Sequence, residues 1–204
     1  MPNIPAMLTT AVVIASAVVP PANIAQQFST YGGLRLNSDT LASVQKKLGP
    51  SHIFTTGDAG EFEAWVCYAL PNAQVEFNSG EIGGGTDLLG FTLVRHGRNK
   101  HCPWWPKAVP QPSLSLGPIR LGASRAEFQA AFPRHVEWKQ KTATATYEYQ
   151  RLMTHQEVAR LPEAARKATE SDTSLLKLDV SFTVIGDFTH GHLVKLTVWQ
   201  IETQ

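Results

Sequence analysis

The amino-acid sequence predicts an α+β protein made of two tandem repeats. Each repeat is a helix packed on one face of a four-stranded antiparallel sheet, and the second repeat carries a helical insertion. Three observations support this. Short signatures recur at fixed offsets between the two halves of the chain, strand-like segments alternate apolar and polar residues, and each half holds one capped stretch of helical spacing.

Residues 1–30 read as a signal peptide or N-terminal hydrophobic segment. The run 7–19 (MLTTAVVIASAVV) is apolar and uncharged, shorter than a membrane span of roughly 20 residues but suited to the h-region of a secretory signal. Ala15-Ser16-Ala17 supplies an A-x-A cleavage site, and Ala25 before Gln26-Gln27 a second one. The n-region has no Lys or Arg, and the competing reading is a buried first element, although prolines 2, 5, 20 and 21 bracket the run awkwardly for one. No stable membrane span remains once such a signal is removed.

The first repeat covers 31–100. Leu34-Arg35-Leu36 leads into a helix that Ser38 or Asp39 caps, with Leu41, Val44 and Leu48 three and four apart and Gly49-Pro50 as the stop. Strands are expected at about 52–56, 61–70, 73–79 and 87–96. A Pro-rich linker, 101–118, follows (HCPWWPKAVPQPSLSLGP), semi-rigid and extended, holding the repeats at a restricted angle.

The second repeat covers 119–204. Ile119-Arg120-Leu121 restates Leu34-Arg35-Leu36 after 85 residues. Ser124 and Glu127 form a capping box, Phe128 and Phe132 match Val44 and Leu48, and Pro133 stops the helix. Val75-Glu76-Phe77 precedes LLGFTLV by 13 residues, counted from its Val, and Val180-Ser181-Phe182 precedes LVKLTVW by the same 13. This sets Phe91 in step with Leu196 and Thr92 with Thr197. The offset grows from 84 to 105, and the extra residues fall within 151–175, which read as helical from the Thr154/Glu157 capping box and from Pro162. Strands are expected at about 135–141, 144–151, 177–185 and 191–202. One face of each sheet lies under its helix and the other is left for solvent or a partner.

Composition narrows the function. A formal charge of +1 supplies no field to steer nucleic acid, so no nucleic-acid partner is expected. With 43% hydrophobic and 17% charged residues, the chain is neither disordered nor a coiled coil. Cys67 and Cys102, without CxxC spacing, read as one disulfide of an exported protein rather than a zinc site; two unrelated thiols are the alternative.

The module beginning IRLGAS-RAEFQAAFP and continuing through meandering strands resembles the helix-plus-four-strand repeat of the β-lactamase inhibitor protein family. It is also similar to the single modules of small outer-membrane assembly lipoproteins of the BamE/SmpA type. The 151–175 insertion departs from the inhibitor pattern, as does the presence of two cysteines where the inhibitor has a disulfide in each repeat. The resemblance implies the fold and a general role, that of an exported protein which blocks an enzyme.

No catalytic signature is found: HExxH, GxSxG, GxxxxGK[ST] and GxGxxG are absent. His190-Gly191-His192 reads as a solvated hairpin tip, Gly83-Gly84-Gly85 as a flexible hairpin loop, and Asp58, Glu61, Glu63 and Glu76 as a wetted sheet face. The candidate partner-binding residues are Trp65 and Trp199 on the open faces, joined by Trp104 and Trp105 from the linker, with Glu76 and Lys195. The competing role for these rings is packing between the repeats. The expectation is therefore a periplasmic or secreted, non-enzymatic binding protein without cofactor or metal, its partner another protein such as an enzyme or a toxin. An envelope-assembly factor, and an enzyme or small-ligand carrier with a site between the repeats, are the alternatives.

Overall fold

A computed structural model of the chain describes residues 21–204 other than 59, 96–98 and 134. The apolar run 7–19 and the Ala15-Ser16-Ala17 motif lie outside the described residues. The second cleavage option, Ala25, is a buried residue of helix α1 (Pro21–Phe28), which also buries Ile24 and Phe28. Cutting there would part Ile24 from the rest of the core.

A hairpin of β1 (Thr30–Tyr31) and β2 (Leu34–Arg35) turns on Gly32 and Gly33, both at positive φ. Helix α2 (Leu41–Leu48) buries Leu41, Val44 and Leu48, the spacing of one helix face. Its cap differs from expectation. Thr40, not Ser38 or Asp39, accepts from the Ser43 N–H at 3.2 Å, while Asp39 accepts from the Arg35 N–H at 2.7 Å. Thr40 has the extended backbone an N-cap needs, with the helix already under way at Leu41.

Strands β3 (Phe54–Thr56), β4 (Glu63–Leu70), β5 (Ala73–Gly80) and β6 (Gly90–Arg95) follow. A second hairpin, β7 (Ser115–Leu116) and β8 (Ile119–Arg120), leads to α3 (Arg125–Ala131) with the Ser124/Glu127 capping box. Then come β9 (Val136–Lys139), β10 (Thr142–Leu152), α4 (His155–Arg160), α5 (Glu163–Ser171), a 3-10 turn (Thr173–Leu176), β11 (Lys177–Thr189) and β12 (His192–Thr203).

Apart from the two small hairpins β1–β2 and β7–β8, the strands form one eight-stranded antiparallel sheet in the order β3-β4-β5-β6-β12-β11-β10-β9. This corrects the expectation of two four-stranded sheets. The alternating strands do fall into two runs, but β6 and β12 pair edge to edge from Val94/Lys195 to Gly90/Trp199, so neither run keeps a free inner edge. Thr92 and Thr197, in step by spacing, lie directly opposite each other at this seam.

Helices α1, α2 and α3 supply side chains to a core on one face of the sheet. Phe28 lies 5.6 Å from both Phe132 and Phe182, and Phe128 packs 5.0 Å from Phe132 and 5.7 Å from Phe188. Gly186 leaves room for that packing, since a Cβ there would stand 2.8 Å from the Phe128 ring. The Pro-rich connector does not span a gap between separate bodies. Trp105 enters the core, and the Tyr31 hydroxyl donates to the Ser113 carbonyl at 2.9 Å.

Candidate docking face

The opposite face carries no helix from α1, α2 or α3, and strand registers fix which residues share it. One row runs Phe54–Trp65–Asn78–Gly90–Trp199–Thr183–Thr146 across seven strands. The next runs Cys67–Glu76–Thr92–Thr197–Ile185–Thr144. Beside them lie Ala69, Gln74, Val94, Lys195, Asp187 and Thr142. The alternation of a pleated strand thus brings Trp65, Trp199, Glu76 and Lys195 onto one surface.

Trp65 and Trp199 stand three strands apart, about 14 Å at the usual strand spacing. Trp65 stacks on Phe54 with centroids 5.5 Å apart and planes 14° from parallel, and His52 meets Phe54 edge-on at 4.6 Å. Trp199 leans over Gly90, where a Cβ would lie 3.0 Å from its ring and 2.7 Å from the Val198 carbonyl. Only a residue without Cβ fits beneath that ring.

The two connector tryptophans part company. Residues 103–105 run beside β4: the Ala69 N–H donates to the Pro103 carbonyl at 2.7 Å, and the Trp105 N–H donates to the Ala69 carbonyl at 2.9 Å. Trp104 forms a parallel bridge with Ala69 and so takes the open-face side, 55% exposed. Trp105, the next residue in an extended segment, points the other way. It is 7% exposed, within 6.2 Å of the Tyr68 ring and 6.5 Å of Phe77. Trp105 is therefore a core residue, a correction to its expected place on the face.

The centre of the face is polar but satisfied. The Asn78 amide donates to the Thr92 hydroxyl at 2.9 Å, which lies 3.1 Å from the Thr197 hydroxyl, so a hydrogen-bonded row crosses the seam. Glu76 accepts from the Gln74 amide at 2.7 Å. Burial holds its carboxyl above the ordinary range, opposed by the Gln74 bond and by Lys195. The Cys67–Cys102 disulfide, with Cα atoms 5.1 Å apart, lies buried at the connector end.

Beside Trp199 the face dips into a hollow of about 750 Å³ with Phe62, Ile82 and Ile201 in its wall. Glu61, Glu63 and Glu81 stand among its lining residues, and no Lys or Arg among the described residues lines it. Gly84 and Gly85 adopt positive φ in a hydrogen-bonded turn, so the glycine run is a wound corner rather than a loose loop. His190 and Gly191 form the β11–β12 turn, and His192 Nδ1 lies 3.2 Å from the Gly122 carbonyl. Among the described residues no three His, Cys, Asp or Glu side chains converge as metal ligands. None of the described helices is long and apolar enough to cross a membrane.

Sequence reasoning missed Phe54 and Asn78 as members of this face. The Thr92/Thr197 spacing was visible, but their direct pairing depends on which strands meet.

By fold, then, this is an α+β protein with helices on one side of a single large antiparallel sheet. No protein-family model and no curated protein matches the chain. Among solved structures it is similar to a candidate β-lactamase inhibitor protein from Streptococcus mutans, at 5% identity and a TM-score of 0.26, over 90% of this chain and 94% of that one. The likeness is weak and carries no argument about function.

Proposed function

We propose that this chain is an exported, non-enzymatic protein-binding module, built by duplication of a helix-plus-four-strand unit. It blocks a partner enzyme or toxin by laying its open sheet face over the partner's working surface. The observation that carries this reading is the row Phe54–Trp65–Asn78–Gly90–Trp199, two half-buried rigid aromatic anchors flanking a buried, satisfied polar centre on the helix-free face. Large rings lose little entropy on burial and dominate binding energy at such surfaces. The disulfide supports export, since such bonds persist in oxidising compartments. Inhibition also accords with the family resemblance of the sequence.

The test is to titrate the purified, disulfide-intact chain against exported hydrolases, serine β-lactamases first, and to identify a stoichiometric partner from envelope extracts. A complex should form one to one, and Trp65→Ala with Trp199→Ala should abolish it while melting changes little. A complex untouched by both substitutions, or loss of melting with binding intact, would reassign these rings to a structural role. A second reading, a carrier of a small ligand, is favoured by the apolar hollow beside Trp199. Native mass spectrometry of the chain purified from its host would reveal such a ligand.

A further inference from the structure

The sheet has two lateral edges, and they end differently. On the β3 side, β3 pairs with Glu63–Trp65 of β4, and the rest of that edge is occupied. The Ser51 hydroxyl donates to the Cys67 carbonyl at 2.9 Å, and residues 103 and 105 bond the Ala69 backbone. On the other side, β9 pairs only with Thr142–Ala145 of β10. Strand β10 runs on to Leu152, paired with β11 along its inner side throughout. Along the outer side of 146–152, no backbone partner is present among the described residues, and the Leu152 carbonyl accepts one bond, from the Arg151 guanidinium at 3.1 Å.

The parity of this edge follows from the β9–β10 turn. Gln140 and Lys141 form a two-residue turn, which makes Lys139 and Thr142 a hydrogen-bonded pair. Bonding direction alternates along a strand, so Thr146, Glu148, Gln150 and Leu152 aim their N–H and C=O groups outward. Tyr147, Tyr149 and Arg151 spend theirs on β11. The segment TYEYQRL has no Pro, its pairing with β11 holds one register, and Leu152 is 62% exposed. Edges of this length are normally blunted by proline, bulges, lysine or a covering loop.

We propose that a second copy of this chain pairs with β10 here, antiparallel, about a two-fold axis at Tyr149. Charge selects the register. Centring on Glu148 would set two carboxylates face to face, which is destabilising. Centring on Gln150 would leave Thr146 without a partner. Centring on Tyr149 uses the whole edge: Glu148 faces Gln150 of the second copy, Thr146 faces Leu152, and Tyr147 faces Arg151. The two sheets become one continuous sheet across the dimer. A contact of this kind buries less than the roughly 1,200 Å² of a standard interface, so the dimer is reversible and concentration-dependent. It does not rest on the docking reading, since it uses the outward backbone groups of β10 rather than the Trp65 and Trp199 side chains.

Sedimentation equilibrium of the purified, disulfide-intact chain from micromolar to millimolar concentration tests the proposal. The weight-average mass should climb towards that of a dimer. Gln150→Lys sets a lysine opposite Glu148 twice over and should tighten the dimer roughly two- to thirtyfold, while Gln150→Glu should loosen it by a similar factor. The bond from Gln150 to Asp179 at 2.8 Å is lost in Gln150→Glu, so Glu148→Lys combined with Gln150→Glu is the control that should restore association. Gln150→Pro removes an outward N–H without touching the bonds to β11, and should abolish the dimer with the fold retained by circular dichroism. A chain that stays monomeric at millimolar concentration overturns the proposal. So does a dimer indifferent to the charge at position 150, or association into open-ended fibres.

Discussion

Glu76 shows how a single side chain on the open face is constrained. Its carboxyl is desolvated among Cys67, Gln74 and Thr92, and the net effect of burial against the Gln74 bond and Lys195 is a raised pKa. A folded-state pKa above the unfolded one means the folded chain holds its proton longer. That contribution is fully present below the ordinary Glu range and is lost as pH rises through the elevated value. Glu76→Gln should therefore raise the melting temperature at neutral pH and give no gain in acid, a comparison that thermal melts at the two pH values make directly. Gly90 is constrained by space. Gly90→Ala would drive a methyl against the Val198 carbonyl and the Trp199 ring, at an expected cost of about 1–3 kcal/mol with a shift in tryptophan fluorescence. The role of Gly90 was hidden in the sequence because it depends on β12 lying beside β6. The face occupied by Trp65, by contrast, was legible from its alternation with Ala64 and Val66.

Among the helices, α4 and α5 are the least embedded, with no buried residue in α4 and only Thr169 in α5. Arg151 ties them down, bonding Glu157 of α4 and Glu202 of β12 together on the helix side of the sheet. The Arg151 guanidinium and the Thr154 cap depress Glu157 to about 2. A depressed carboxylate contributes stability above its unfolded pKa and loses it as pH falls towards the folded value. The helices should thus come loose between roughly pH 4.5 and 2, before the core melts. Glu157→Gln should release them at neutral pH, costing about 1–3 kcal/mol locally, and hydrogen exchange should quicken in 155–171 while β11 stays protected. The Ser124 and Thr154 caps were readable from S/T-x-x-E spacing, a local pattern. The Thr40 cap was not, because Ser38, Asp39 and Thr40 are all competent and the incoming chain direction chooses among them.

At the scale of the whole molecule, the Cys67–Cys102 bridge closes a separation of 35 residues and pins the connector to β4. Reduction, or Cys102→Ser with Cys67→Ser, should lower unfolding stability by about 4 kcal/mol in the chain-entropy picture, measurable by urea titration. Because Trp105 then loses its anchor above Tyr68 and Phe77, its fluorescence should redden before global unfolding. The sequence by itself determined the α+β class, the order of elements from β2 to β6 and from β8 to β12, and the insertion, and it favoured the pairing of the two cysteines; it did not show α1, β1 or β7. What it determined follows from periodicity, caps and composition, which act over a few residues. Only the tertiary structure decided that the strands join into one sheet at β6–β12, that α1 lends Phe28 to the far half of the core, and that Trp104 and Trp105 face opposite ways. Those outcomes turn on which distant edges and rings meet, and alternation along a strand says that a face exists without saying what lies beside it.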